Sequence, residues 1–184
     1  MCYDSYILMK NIELNRLEKA IRDVPDFPKP GILFKDITPV LANAELFSMS
    51  IHAMASTVKD ANIDKVVGID ARGFIFGAAI ANLLGIGFVP VRKSGKLPWS
   101  TESESYSLEY GESVVEIHKD AISPGEKVII VDDLLATGGT AEATLKLVKK
   151  LGADIHSACF FIELEFLNGK EKLGETEINS LLVY

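Results

Sequence analysis

Apolar residues at Leu14, Leu17, Ala20, Ile21 and Val24 recur at the spacing of one helical face and predict a docking helix over Glu13–Val24. Pro25, Pro28 and Pro30, followed by Gly31, interrupt regular structure before the chain resumes with Ile32-Leu33-Phe34-Lys35-Asp36-Ile37-Thr38. A second helix is expected over about Glu45–Lys59. The pattern then alternates: strand Lys65–Ile69, helix Phe74–Leu84, strand Phe88–Val91, a polar stretch, strand Lys127–Val131, helix Thr140–Leu151 and strand Ile155–Ile162. Continuously apolar strands alternating with helices predict an α/β fold, a parallel sheet covered on both faces. The helix from Thr140 is specified twice over. Ala141, Leu145 and Val148 form its apolar face, while Glu142 in the first turn and Lys149 and Lys150 in the last complement its dipole, with Gly152 as a stop.

Two segments depart from this regularity. Gly73 to Val91 contains no charged residue and has the length of a membrane span, but Gly77, Asn82, Gly85, Gly87 and Pro90 divide it, so it reads as a helix, a turn and a buried strand. The polar stretch Ser94–Tyr106, around the single Trp99, is too long for an ordinary connection and predicts a lid, with a disordered surface loop as the alternative.

Composition narrows the class. The chain of 184 residues, 48% of them hydrophobic, suffices for one globular domain with a substantial core. A formal net charge of -7 argues against general nucleic-acid binding and makes any basic cluster informative. Cys2 and Cys159 cannot form a disulfide framework, and the first eight residues contain Asp4 but no Lys or Arg, so a cytoplasmic protein is expected. The histidines His52, His118 and His156 are too scattered to form a metal-ligand cluster.

The string Val128-Ile129-Ile130-Val131-Asp132-Asp133-Leu134-Leu135-Ala136-Thr137-Gly138-Gly139-Thr140 carries the most chemistry. A buried strand delivers two carboxylates, and a glycine-rich loop then opens a helix, so loop N–H groups and helix dipole face one pocket. Gly138 and Gly139 allow close approach to a phosphate, and the Thr137 and Thr140 hydroxyls can donate to it. Ionised Asp132 and Asp133 only accept hydrogen bonds, which suits a ribose diol. An acidic strand end of the response-regulator kind and a generic nucleotide loop are the competing readings. The loop has neither the Gly-Lys-Thr/Ser ending of a P-loop nor the Gly-x-Gly-x-x-Gly of a dinucleotide site.

The paired acids with Thr-Gly-Gly-Thr resemble the phosphoribosyl pyrophosphate motif of the type I phosphoribosyltransferases. Phe27-Pro28-x-Pro30-Gly31-Ile32-x-Phe34-Lys35-Asp36-Ile37-Thr38, Asp70-Ala71-Arg72-Gly73-Phe74, Arg92-Lys93-x-Gly95-Lys96-Leu97-Pro98 and Tyr106-Ser107-Leu108-Glu109-Tyr110-Gly111 are similar to the adenine phosphoribosyltransferases among them. The resemblance runs from about Leu14 to Tyr184. It implies a Rossmann-like parallel sheet flanked by helices in one domain, 1–184, with a small base-binding N-terminal hood over about 1–38 and a flexible catalytic lid over about 94–110.

The same resemblance implies the reaction of adenine with phosphoribosyl pyrophosphate to give AMP and pyrophosphate, in purine salvage, by a homodimer that binds neither nucleic acid nor membrane. It assigns the ribose and 5′-phosphate to Asp132, Asp133, Ala136, Thr137, Gly138, Gly139 and Thr140, and the pyrophosphate to Arg72, Arg92, Lys93 and Lys96. Adenine falls to Leu33, Phe34, Lys35 and Leu164, with Glu109 and Arg72 catalytic and Tyr110 in the lid. Mg²⁺ is expected to arrive on the substrate rather than on protein ligands. Ala136 stands where relatives acting on hypoxanthine or guanine usually carry an aspartate, which favours adenine. Asp70 stands where the family more often has Glu or Ser. Two rival functions remain open: a non-catalytic sensor of phosphoribosyl pyrophosphate or a nucleotide on the same fold, and a transferase for another base.

Overall fold

The computed structural model describes residues 3–59, 61–107 and 112–184. The chain forms two compact units, Met1–Ala53 and Met54–Tyr184.

In the first unit, α1 (Tyr3–Ala20) is followed by β1 (Arg22–Pro25) and β2 (Leu33–Asp36), which pair as an antiparallel ribbon. The helix expected over Glu13–Val24 therefore ends at Ala20. Leu17 and Ile21 are buried as the spacing requires, but Val24 precedes a proline, which disfavours helical backbone, and it pairs with Phe34 in the ribbon instead. The second expected helix is divided into α2 (Thr38–Ala42), with a proline in its first turn, and α3 (Ala44–Ser56). The Asn43 side chain makes the break by accepting the backbone N–H groups of Glu45 and Leu46 at 3.0 and 3.1 Å.

The second unit is built on a seven-stranded sheet of β3 (Lys65–Ile69), β4 (Gly87–Lys93), β5 (Thr101–Ser107), β6 (Glu112–His118), β7 (Lys127–Leu135), β8 (Asp154–Glu163) and β9 (Glu177–Val183). Its order is β5-β6-β4-β3-β7-β8-β9, with β4, β3, β7, β8 and β9 parallel to one another and β6 antiparallel to both β4 and β5. Two helices cross between parallel strands: α4 (Gly73–Leu84) and α5 (Gly139–Lys150). Strand β8 shows why both faces are covered. Phe160 joins the core formed with Leu145, Val148 and Leu173, whereas the next residue, Phe161, stacks on Phe76 of α4 at 5.0 Å. Helix α4 has 12 residues, and no helix among the described residues is long and apolar enough to cross a membrane.

The expected loop Ser94–Tyr106 is half strand. From Thr101 the chain enters β5, which pairs antiparallel with β6 over its whole length. Thr and Ser on one face alternate with Glu102, Glu104 and Tyr106 on the other, so the strand is polar on both faces but for one residue, and sequence periodicity weighted by apolar residues passes over it. The base of this hairpin belongs to the core through Val115 and Ile117, and Lys150 of α5 reaches the Glu104 carboxylate at 2.6 Å. Strand β9, also unforeseen, closes the other edge beside β8.

Candidate active site

Strands β3 and β7 lie side by side and parallel, and the chain leaves them in opposite directions, β3 toward β4 and β7 toward β8. The crevice beyond the carboxyl ends of such a pair is where open α/β sheets bind ligands. The residues that open the two diverging connections then have a geometric reason to face it.

Strand β7 runs four residues further than its apolar core suggests, so Asp132 and Asp133 lie inside it, opposite Phe160 and its neighbours on β8. The Asp133 side chain is 8% exposed and pairs with Arg72 Nε at 2.5 Å. Its backbone N–H donates to Asp132 Oδ1 at 2.9 Å. Arg72 caps α4, and Gly73 explains how it comes so near: a Cβ on Gly73 would lie 2.7 Å from Asp132 Oδ1 and 2.8 Å from the Val131 carbonyl. Only glycine lets the helix start against the strand at that distance.

This packing shifts the acids. Burial pushes the Asp132 carboxyl well above the ordinary carboxylate range, and the neighbouring Asp133 charge adds to it. Burial raises Asp133 as well, but the Arg72 guanidinium opposes the rise. Asp132 is therefore the group that pays for being ionised, and Asp133 the one whose charge is balanced.

Arg72, Lys93, Tyr106, Asp132, Asp133 and Thr140 line a cleft of about 390 Å³. A smaller recess of about 80 Å³ adjoins it, walled by Asp132 and the loop Ala136–Thr140. Gly138, at φ 77, turns the chain into α5, so the first-turn N–H groups of that helix open onto the recess. An anion in the recess, hydroxyls over the carboxylates and a second anion between Arg72 and Lys93 satisfy the donors and acceptors present.

The basic cluster expected from the sequence is divided by the fold. Lys93 is in the cleft wall, whereas Arg92 donates from Nε to Asp70 Oδ2 and from Nη1 to the Lys96 carbonyl, both at 3.2 Å, and lies over the Phe74 ring at 5.9 Å. Asp70 thus has a specific role in this chain as the counter-ion of Arg92. Lys96 is exposed. Leu164 follows β8 directly, half-buried, with its N–H on the Leu135 carbonyl at 2.9 Å. In the first unit, Leu33 is 49% exposed, Phe34 meets Phe27 edge-on at 5.2 Å, and Lys35 pairs with Asp23 at 2.7 Å. Glu109 and Tyr110 lie outside the described residues. Sequence reasoning missed Tyr106 as a cleft wall, because its register on β5 follows only once the hairpin is known.

The profile of the phosphoribosyl transferase domain matches residues 37–177. The adenine phosphoribosyltransferase of Sulfurimonas denitrificans is 55% identical over 177 residues, spanning 95% of this chain and 97% of that protein. The crystal structure of the enzyme of that name from Thermoanaerobacter pseudethanolicus superposes with a TM-score of 0.91 at 52% identity, covering 93% of this chain and 99% of that one. The Saccharomyces cerevisiae adenine phosphoribosyltransferase, solved with an imino-altritol bisphosphate and adenine, gives 0.90 at 43% identity, covering 94% and 99%. With the paired acids, the glycine-threonine loop and the type I sheet in place, the chain belongs to the adenine phosphoribosyltransferases, a family of pentosyltransferase enzymes.

Proposed function

We propose that the enzyme joins N9 of adenine to C1′ of phosphoribosyl pyrophosphate, breaking the bond from C1′ to the pyrophosphate oxygen with inversion and releasing AMP and pyrophosphate. The observation that carries this reading is the pairing of a helix-start anion recess with two carboxylates inside one strand end. The 5′-phosphate occupies the recess at Ala136–Thr140, and the ribose hydroxyls donate to Asp132 and Asp133. Arg72 and Lys93 hold the pyrophosphate, on which negative charge grows as the sugar becomes oxocarbenium-like. Arg92, held by Asp70 at the end of β4, and Lys96, in the loop whose carbonyl Arg92 binds, complete that side.

Leu33, Phe34, Lys35 and Leu164 are the adenine contacts that family membership supports, with backbone groups reading the amine and ring nitrogen, and Glu109 handles the base's proton. Among the described residues there is no group of three or more His, Cys, Asp or Glu able to hold a metal. The hard oxygens of Asp132 and Asp133 fit an Mg²⁺ that comes with the substrate and its waters, and when bound it neutralises pyrophosphate charge. Purine salvage in the cytoplasm by a homodimer completes the reading.

The direct test is a panel of bases with phosphoribosyl pyrophosphate and Mg²⁺, read by pyrophosphate release and AMP formation. Adenine is expected to be turned over well ahead of hypoxanthine and guanine. No AMP from correctly folded protein would instead indicate a binding module, and equal turnover of hypoxanthine a different base.

The acid pair yields a prediction of two opposite signs. Asp132→Asn is expected to weaken phosphoribosyl pyrophosphate binding by about tenfold or more, since an acceptor from two hydroxyls becomes half donor. The same change should raise the Tm of the ligand-free protein by about 2–4 °C for each kcal/mol of relieved charge burial. A carboxyl with a raised folded-state pKa stabilises below the ordinary carboxylate range and loses that contribution as pH rises through the raised value. The Tm advantage of Asn should therefore grow between about pH 5 and about pH 8. Calorimetric titration and thermal unfolding measure the two halves; tighter binding or a lower Tm would contradict the assignment.

A further inference from the structure

The loop that holds the 5′-phosphate in the reading above is pressed from behind by another backbone. A Cβ added to Gly138 would run into the Gly169 carbonyl, and one added to Gly169 would run into the Ala136 carbonyl and lie 3.0 Å from the Gly138 nitrogen. Each glycine is required by the other. Gly169 is buried, between Asn168, which turns the chain at φ 52, and Lys170, whose Nζ pairs with the buried Glu163 carboxylate at 2.8 Å.

The turn has little freedom to retreat. Upstream, the Leu164 N–H donates to the Leu135 carbonyl at 2.9 Å, one residue before the phosphate loop begins, and the Glu165 N–H donates to the Tyr184 carbonyl at 2.8 Å. Downstream, Leu173 is buried in the core beneath α5. The segment from Leu164 to Leu173 is thus anchored at both ends, to the sheet upstream and to the core downstream, with Gly169 as its point of contact on the loop.

We infer that the Gly169 turn is a positioning element for the phosphate loop: it fixes the backbone of Ala136–Gly138 so that the N–H groups and hydroxyls beyond it are aimed before the phosphate arrives. Loop N–H groups bind an anion well only if their directions are set in advance, because ordering them on binding subtracts from affinity. Here the ordering comes from backbone contact, which leaves no side chain to signal it. Lys170 acts through the same turn, since its ion pair with Glu163 holds the segment against the end of β8. Neither residue touches the substrate in this assignment, which rests on the placement of the 5′-phosphate proposed above.

Gly169→Ala is expected to push Ala136 and Gly138 aside and raise KM for phosphoribosyl pyrophosphate by roughly ten- to a hundredfold, the size of effect that follows from an ångström-scale misplacement of binding groups. KM for adenine and kcat at saturating phosphoribosyl pyrophosphate should change far less. A general loss of structure would lower the amount of active enzyme and leave both KM values alone. Ribose 5-phosphate, titrated calorimetrically, should lose affinity in parallel, because it probes the recess without the pyrophosphate. Lys170→Ala introduces no clash and should raise the same KM about threefold.

Folded Gly169→Ala with a KM for phosphoribosyl pyrophosphate within about twofold of the parent overturns the inference. If Gly169→Ala does not fold, Lys170→Ala decides, and an unchanged KM there overturns it equally. Thr140→Val separates this from a failure of the site assignment. If Thr140→Val weakens ribose 5-phosphate and the turn variants do not, only the positioning role is lost; if Thr140→Val has no effect either, the phosphate has been placed at the wrong loop.

Discussion

Arg72→Ala is expected to lower kcat/KM for phosphoribosyl pyrophosphate by about 10²–10³-fold, the usual consequence of removing a pre-aimed charge from a site where charge develops in the transition state. Its guanidinium is the cation nearest the acid pair, at the first turn of a helix whose dipole points the same way. Ligand-free stability gives an independent reading. Arg72 opposes the rise in the Asp133 pKa, so its loss lets that pKa rise further. A raised carboxyl pKa costs stability above the raised value and not below the ordinary carboxylate range. The Tm deficit of Arg72→Ala should therefore be largest near about pH 8 and shrink toward about pH 5. A deficit independent of pH would mean that Arg72 acts through packing alone, and an unchanged kcat/KM would remove it from the pyrophosphate site.

The elements that carry this chemistry were legible in the sequence because they are local. A strand such as Val128-Ile129-Ile130-Val131 is buried on both faces and so is apolar throughout, and the loop after it needs glycines that show in any listing of residues. Helix α5 is confirmed to within a residue at each end, since amphipathic spacing, terminal charges and the following turn all coincide. The extension of β7 through Asp132 and Asp133 was less visible: an ionisable pair reads as the end of a strand, and only its ladder with β8 shows that pairing continues.

What escaped depends on partners distant in sequence. Strand β5 is polar along its length and exists because β6 supplies its hydrogen bonds, so no window over Thr101–Ser107 identifies it. Val24 carries helical spacing but is committed to the ribbon by Pro25 and by Phe34. Arg92, Lys93 and Lys96 look equivalent in sequence, yet strand alternation sends Arg92 to Asp70 and Phe74 and Lys93 to the cleft. Gly169 is the extreme case, since its importance lies in the distance between two backbones and leaves no pattern in the sequence around it.

Glu109→Ala is expected to have the largest effect on turnover, about 10²–10⁴-fold in kcat, with both KM values within a few-fold of the parent. Adenine loses its N9 proton as N9 attacks C1′, and a carboxyl group near N7 or N9 can take part in that transfer. The proposed function gives this role to Glu109, which lies outside the described residues. Glu109→Gln separates proton handling from hydrogen bonding, because the amide keeps the size and one acceptor but cannot take the proton. If proton transfer is the role, Gln and Ala should be similarly slow; if Glu109 only orients the base, Gln should recover most of the activity. Single-turnover measurements are required, since slow product release would mask a change in chemistry. Unchanged single-turnover rates in both variants would take Glu109 out of the mechanism and leave proton loss from adenine to water.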